Sequence, residues 1–379
     1  MDVGDIVRTF QESYLVQFGN VMMPSQKKAL SDIADCATPA MGGRLLQCGS
    51  CKHSFWIYYG CRNRSCPKCH GAQTCRWLKE KEAELLPCPY FHLIVTVPQE
   101  LHSPFMKNQK FMYGLFMRIV SYAVMELAGN PKYIGATPAV MTVLHTWNGK
   151  LEFHPHVHLL ISGGGLDVHQ GRWLGNPPSF LIPIRALSRI VAARMRDTLR
   201  QKQPGVFQSI PKNAWKKNWC SFCVPYGSGQ KAVLNYLGRY VFRIAISRSR
   251  LVAMTEKNVT FRYKDRKENR MKLETISGVE FLRRFLLHVL PRGFHKVRYY
   301  GLWHASHRRE QKLAREILEA TNESSENTLF EILLGEESPE QKAAASTEIC
   351  PCCGQSNLCV IREARRGELT PRCRIGPPP

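Results

Sequence analysis

From residue 139 to residue 162 the alternation of apolar and polar positions predicts a β-hairpin. The arms "AVMTVLHTW" and "KLEFHPHVHLLIS" are rich in apolar and β-branched residues, and Asn148-Gly149 between them suits a tight type I′ turn. Side chains alternate across a strand. His154, His156, His158, Leu160 and Ser162 therefore share one face of the second arm, and Pro155, Val157, Leu159 and Ile161 share the other. One face suits a core, and the other presents imidazoles. The glycines Gly163–Gly165 that follow let backbone or ligand approach closely.

Elsewhere the period shifts between helix and strand. Residues 1–35 read as helical, with "QKKALSDIADC" as one amphipathic piece. Residues 36–75 hold seven of the fifteen cysteines and few periodic apolar positions, which predicts a loop-rich segment that needs a staple. "YFHLIVTVP" (90–98) predicts a strand, and residues 104–128 predict a long helix ending near Gly129-Asn130-Pro131. A basic helix follows at 183–202, then a strand at 219–225, a helix at 230–243, strands at 258–264 and 271–276, and a helix at 278–290. Residues 303–335 read as a charged, peripheral helical stretch, and from about 336 the composition predicts a linker and a loose tail. The fold class is α+β with mostly antiparallel strands. The expected division is 1–85, 86–300 and 301–379.

Charge narrows the partners. Lys and Arg outnumber Asp and Glu by 53 to 30, a net +23, which points to a polyanion, nucleic acid first. The start of the chain lacks the apolar core of an export signal, and no run approaches the roughly 18 apolar residues of a membrane span. Cysteines in such a chain are expected to be metal ligands or buried thiols rather than disulfides, and the expected compartment is the cytoplasm.

Two histidines at i and i+2 on one strand face can aim at a single divalent ion. With a two-residue turn, His145 on the first arm shares that face but sits opposite Glu152, about 13 Å along the strand from His156. A third ligand from His145 then needs a different register or a wider loop, and Glu152 and His154 compete for the role. In the helix at 230–243, Tyr236 and Tyr240 stand at i and i+4 beside an apolar stripe, with Arg239 and Arg243 next to them. Arginines can hold phosphate oxygens and a phenol can attack the phosphorus. Taken alone, the histidines also suit a strand without a ligand, and the tyrosines also suit packed rings. Their co-occurrence points to chemistry.

Cys48-x2-Cys51 and Cys66-x2-Cys69 form two knuckles whose four thiolates can close one tetrahedral zinc site. Cys61, His53, Cys36 and Cys75 are left over; Cys61 can stand in for a knuckle cysteine, or several can build a second site. The pair Cys350 and Cys353 lies in a linker-like context and is a weak zinc signal by itself. Arg239, Arg243, Arg248, Arg250, Arg262 and Lys264 crowd the region around and after the tyrosines and suit a DNA channel.

The blocks "CRNRSCPKCHG", "ELLPCPYFHLIVTVP", "VLHTW", "HPHVHLLISGGGL", "YLGRYVFRIAISRSRL", "VTFRYKD" and "EFLRRFLLHVLPRGFHKVRYYG" occur in that order over about residues 35–305. In this series the chain resembles the HUH endonuclease superfamily, in which two histidines flank one hydrophobic residue. More narrowly it resembles the rolling-circle transposases of the insertion sequence 91 family. The resemblance implies an HUH-type antiparallel sheet with packed helices, an amino-terminal zinc-binding domain, and a helical and loose carboxy-terminal region. It implies Mg²⁺ or Mn²⁺ on His156 and His158, with His145 as the best match for a third histidine. It also implies attack by Tyr236 or Tyr240 on single-stranded DNA of transposon ends and target, leaving a 5′-phosphotyrosine and a free 3′-hydroxyl. Two tyrosines allow two sequential transfers. Tyr299 and Tyr300 read instead as a basic-aromatic patch. A replication initiator or relaxase with the same chemistry, and a zinc-ribbon DNA binder without catalysis, are the alternatives. The expected setting is the bacterial cytoplasm, at the nucleoid.

Overall fold

In the computed structural model, residues 1–69, 85–177, 179–228, 233, 236, 240–241, 243–265, 268–323 and 349–369 are described. The strands in chain order are β1 (Gly43–Cys48), β2 (Ser54–Tyr58), β3 (Pro89–Thr96), β4 (Ala139–Trp147), β5 (Phe153–Ser162), β6 (Gly164–Asp167) and β7 (Arg172–Gly175). They continue with β8 (Cys220–Ser228), β9 (Leu251–Met254), β10 (Asn258–Asp265), β11 (Arg270–Ser277), β12 (Val297–Gly301) and β13 (Leu358–Ala364). The fold is α+β, and every named strand pairing is antiparallel.

The chain divides into two units interleaved in sequence. One comprises Met1–Arg76, Ile244–Val289 and Leu333–Pro379, and the other Trp77–Arg243 and Leu290–Ile332. This differs from the three-part division expected at 85 and 300. The segment 244–289 groups with the amino-terminal residues, and the carboxy-terminal cysteines do so as well.

The second unit carries a five-stranded sheet in the order β12-β4-β5-β3-β8. One face of its central strands supplies Phe91, Leu93, Val95, Val140, Leu144, Val157, Leu159 and Ile161 to a core that also takes in the helices Gln109–Gly129 and Ile184–Lys202. The helix Gln109–Gly129 is long and apolar enough to cross a membrane, yet it is 67% buried inside the fold, which marks it as a core helix. The helix read at 104–128 is broken at Asn108 into His102–Lys107 and Gln109–Gly129. The opposite face of the sheet packs Tyr90, Met141, Val143 and Leu160 against Val233, Tyr236 and Val241 and against Ala314 and Leu318 of the helix Arg308–Glu323. That helix is therefore not peripheral: its apolar stripe covers the histidine side of the sheet.

The first unit packs the helices Val3–Phe18 and Pro24–Asp35 with Gly278–Leu287, and it holds two three-stranded sheets, β13-β1-β2 and β11-β10-β9. The tail read as loose from 336 contains β13, an integral strand paired with β1 from Gly43↔Ala364 to Cys48↔Leu358.

The glycines after the histidine strand serve backbone packing. The Gly163 N–H donates to the Pro89 carbonyl at 2.7 Å. At Gly164, with φ +150°, an added Cβ would lie 2.6 Å from both the Leu174 carbonyl oxygen and the Trp173 ring nitrogen. Gly164→Ala is expected to cost about 1–3 kcal/mol through overpacking and backbone strain. Denaturant unfolding checks it, and an unchanged midpoint would show that the β6–β7 hairpin yields freely.

Candidate active site

The site is built on the β4–β5 ladder. His145 pairs directly with His156, and Val143 with His158, so all three histidines project from one face. The register differs by four residues from the one a two-residue turn dictates. The physical reason lies in the loop Asn148–Glu152. The Asn148 side-chain oxygen accepts from the N–H groups of Lys150 and Glu152, both at 2.9 Å, and Leu151 is fully buried with φ +61°. A register shift between His145 and Trp147 absorbs the extra residue. The wider loop removes the distance that separated His145 from His156, and it leaves Glu152 outside the cluster.

His145, His156 and His158 are all buried, and one nitrogen from each lies within 4.8 Å of the others. The second nitrogen of each ring has a hydrogen-bond partner, and donation to that partner leaves the first as a lone-pair donor. His156 Nδ1 donates to the His154 carbonyl at 2.7 Å, and His145 Nε2 donates to the Tyr240 carbonyl at 2.7 Å. His158 Nδ1 lies 2.9 Å from His92 Nε2, and donation to His92 leaves His158 Nε2 free. Burial holds His145 and His158 well below the usual imidazole range. For His145 the next cause is the neighbouring His156; Arg243 and Lys296 also act in the same direction. Neutral imidazoles are the form that binds metal, so these residues fit an ion. Three nitrogen donors without a carboxylate suit Mn²⁺ or a later transition ion ahead of Mg²⁺, which prefers oxygen.

The tyrosines meet this cluster. Tyr240, half-buried, has its ring 4.5 Å from His158 and 4.6 Å from His92. Its ring is 4.8 Å from that of Tyr236, which is fully buried. The Tyr236 hydroxyl has no hydrogen-bond partner among the described residues, and burial raises its pKa well above the phenol range. Of the helix read at 230–243, only Val233, Tyr236, Tyr240, Val241 and Arg243 are described, and Arg239 lies outside the described residues. Tyr240 and Val241 have π-helical backbone, a form found often at functional sites.

His92 is the residue that sequence reading missed. It stands on β3 opposite Leu160, on the histidine face, and its signal was parity: Phe91, Leu93 and Val95 all point to the core. Tyr299 and Tyr300 do not form one patch. Tyr299 packs on the histidine side of the sheet and Tyr300 on the helical side.

Arg243 is exposed, and its backbone carbonyl accepts from Lys296 Nζ at 3.2 Å. Arg248, Arg262 and Lys264 are exposed on the first unit. Arg250 is already engaged: its guanidinium donates to the carbonyls of Arg262 at 2.9 Å and Ala245 at 3.2 Å and lies over the Phe261 ring. Those bonds and that ring contact hold the guanidinium in place.

The single-ion grouping of Cys48, Cys51, Cys66 and Cys69 does not hold. The two knuckles sit in separate quartets. One is Cys36, Cys61, Cys66 and Cys69, and the other is Cys48, Cys51, Cys350 and Cys353. The reason is the chain path: β1 and β2 carry the first knuckle to one end of the ribbon, while Cys36 after the second helix meets the other. In the first quartet the Cys36–Cys69 and Cys36–Cys66 sulfurs are 3.5 Å apart, and Cys61–Cys69 are 3.8 Å apart. Sulfurs around a zinc at about 2.3 Å stand about 3.8 Å from one another, so this quartet fits the ion. Contacts with Cys61, then Cys66, bring the Cys36 thiol down to about 7, toward the thiolate.

Residues 6–97 match the family model "Transposase zinc-binding domain", and residues 139–312 match the model "Putative transposase". The chain is similar to "Putative transposase y4qJ" of Sinorhizobium fredii (strain NBRC 101917 / NGR234), 34% identical over 391 residues and 98% of each chain. It is also similar to the "Transposase for insertion sequence element IS801" of Pseudomonas savastanoi pv. phaseolicola, 29% identical over 284 residues, covering 70% of this chain and 67% of that one. No solved structure matches it.

If His92 holds His158 in place, His92→Ala is expected to weaken Mn²⁺ binding about 10- to 100-fold. Calorimetric titration checks it against His156→Ala, for which binding should be largely lost. Equal affinity in His92→Ala would show that His158 keeps its orientation unaided.

Proposed function

The chain belongs to the insertion sequence 91 family of transposases with an amino-terminal zinc-binding domain, and on that premise we propose that it nicks and rejoins single-stranded DNA at transposon ends. The observation that carries this reading is the meeting of three buried imidazoles with a tyrosine ring 4.5 Å from one of them. His145, His156 and His158 would hold Mn²⁺, or Mg²⁺ less well. When bound, the ion supplies charge to polarise the scissile phosphate. The Tyr240 phenol attacks phosphorus and its proton passes to water, while the bond from phosphorus to the 3′ oxygen breaks and that oxygen takes a proton from water. The result is a 5′-phosphotyrosine and a free 3′-hydroxyl. Attack by a 3′-hydroxyl on the phosphotyrosine reverses these bonds, joins the strand and releases the tyrosine. Arg243 and Lys296 supply positive charge for the phosphate backbone, and the +23 chain favours a polyanion over the whole surface.

We infer an order for the two tyrosines from their exposure. Tyr240 is half-buried, whereas Tyr236 is fully buried with a hydroxyl that lacks a partner. This supports Tyr240 as the first nucleophile and Tyr236 as the nucleophile of the second transfer. The cell setting that follows is the bacterial cytoplasm, at the nucleoid.

The test is a 3′-labelled single-stranded oligonucleotide carrying a transposon end, incubated with Mn²⁺ and resolved under denaturing conditions. Tyr240→Phe is expected to lower the first covalent adduct by roughly 10³-fold or more. Tyr236→Phe should keep that adduct and lose the second transfer. Adduct lost only in Tyr236→Phe reverses the order, and normal cleavage by both variants removes the tyrosine assignment. Wild-type protein that binds but never forms an adduct with any end sequence is a zinc-bearing DNA binder. Binding itself should weaken steeply between 50 and 200 mM salt, by orders of magnitude if several phosphates are held.

A further inference from the structure

The second cysteine quartet joins the two ends of the chain. Cys48 ends β1 and Cys51 follows it, whereas Cys350 and Cys353 precede β13, and the four sulfurs gather within 4.8 Å. The zinc-binding family match spans residues 6–97, so it takes in only half of this set.

Three observations point to a metal here. The first is spacing. Cys48–Cys353 sulfurs are 3.5 Å apart and Cys51–Cys350 sulfurs 3.6 Å, near the edge of about 3.8 Å for a zinc tetrahedron and well beyond the ~2.05 Å of a disulfide. The second is that the two knuckles are built alike. The Cys48 N–H donates to the His53 carbonyl at 2.9 Å, and the Lys52 N–H donates back to the Cys48 carbonyl at 3.0 Å. In the other knuckle the Cys350 N–H donates to the Gln355 carbonyl at 2.8 Å, and the Gly354 N–H donates back to the Cys350 carbonyl at 2.9 Å. Lys52 and Gly354, at the same place in each loop, have φ of +60° and +74°. A left-handed lysine is a strained choice that a bare surface turn does not require. The third is the frame. β13 pairs with β1 while β1 also pairs with β2, and the Gly49 N–H donates to the Asn357 carbonyl at 2.8 Å. Two like knuckles at one end of a three-stranded antiparallel sheet present four thiolates to one point.

We propose that Cys48, Cys51, Cys350 and Cys353 bind a second structural zinc ion, separate from that of Cys36, Cys61, Cys66 and Cys69. This ion clamps the carboxy-terminal strand onto the amino-terminal module. Each coordinating thiol loses its proton on binding and nothing is oxidised. Cys352 and Cys359 are exposed and lie outside both quartets, so they serve as internal controls.

The full chain, purified with zinc under reducing conditions, is pulsed with iodoacetamide and mapped by peptide mass spectrometry. Cys352 and Cys359 should be alkylated at once. Cys48, Cys51, Cys350 and Cys353 should resist, then react together after a chelator is added. As a second measurement, cobalt(II) replaces zinc, because cobalt–thiolate charge-transfer absorption counts sulfur sites and is blind to a histidine site. The double variant Cys350→Ser with Cys353→Ser should lose about half of that absorption and one zinc per chain, and should keep the other quartet protected. Full absorption in that variant overturns the proposal. So does alkylation of Cys350 and Cys353 in the wild type as fast as Cys352, a disulfide among the four in the intact mass, or iron in place of zinc.

Discussion

The pairing of His145 with His156 across β4 and β5 is the constraint on which the site depends. A slip of one residue would turn every imidazole of one strand to the core face, and a slip of two would carry His145 about 7 Å along the sheet. The pairing is fixed from two directions. The Asn148–Glu152 loop sets it at the open end through a side-chain cap and a buried leucine. At the other side, the bond from His145 to the Tyr240 carbonyl ties the strand to the tyrosine segment. One ring thus takes part in both the nitrogen cluster and the placement of a phenol.

Electrostatics follow from that packing. Imidazoles that share one buried space cannot all be charged, since burial and mutual repulsion both favour the neutral form. Arg243 adds to that repulsion at both His145 and His158, and Lys296 at His145. The same cations that keep protons off the nitrogens suit a negatively charged ligand. A lone pair for a cation and a positive rim for an anion can coexist here because the rings occupy the interior and Arg243 is exposed.

Much of this was legible in the sequence because it rests on local periods. The α+β class, the two arms of the hairpin, the face that carries His156 and His158, and the helices at 183–202 and 278–290 all follow from alternation or helical repeat. What was not legible depends on contacts distant in the chain or on one loop conformation. Asn148-Gly149 favours a two-residue turn, and the Asn148 side-chain cap with the burial of Leu151 shows why a wider loop wins. Spacing identifies a cysteine knuckle but not its partner: Cys66 and Cys69 meet Cys36 and Cys61, and Cys48 and Cys51 meet cysteines near the other end. His92 was hidden because one histidine in an apolar strand reads as core until the strand opposite it is known.

The pairing of β1 with β13 has a consequence in the order of synthesis. The residues that complete the ribbon are translated about 300 positions after those that begin it. At ~5–20 residues per second, the nascent β1 edge waits roughly 15–60 s for its neighbour. Throughout that interval the amino-terminal sheet has an open hydrogen-bonding edge and an incomplete set of thiols. Ribosomes that stall or stop before β13 release a chain in which that edge never closes, which makes it a natural handle for holding chaperones and for quality-control proteases.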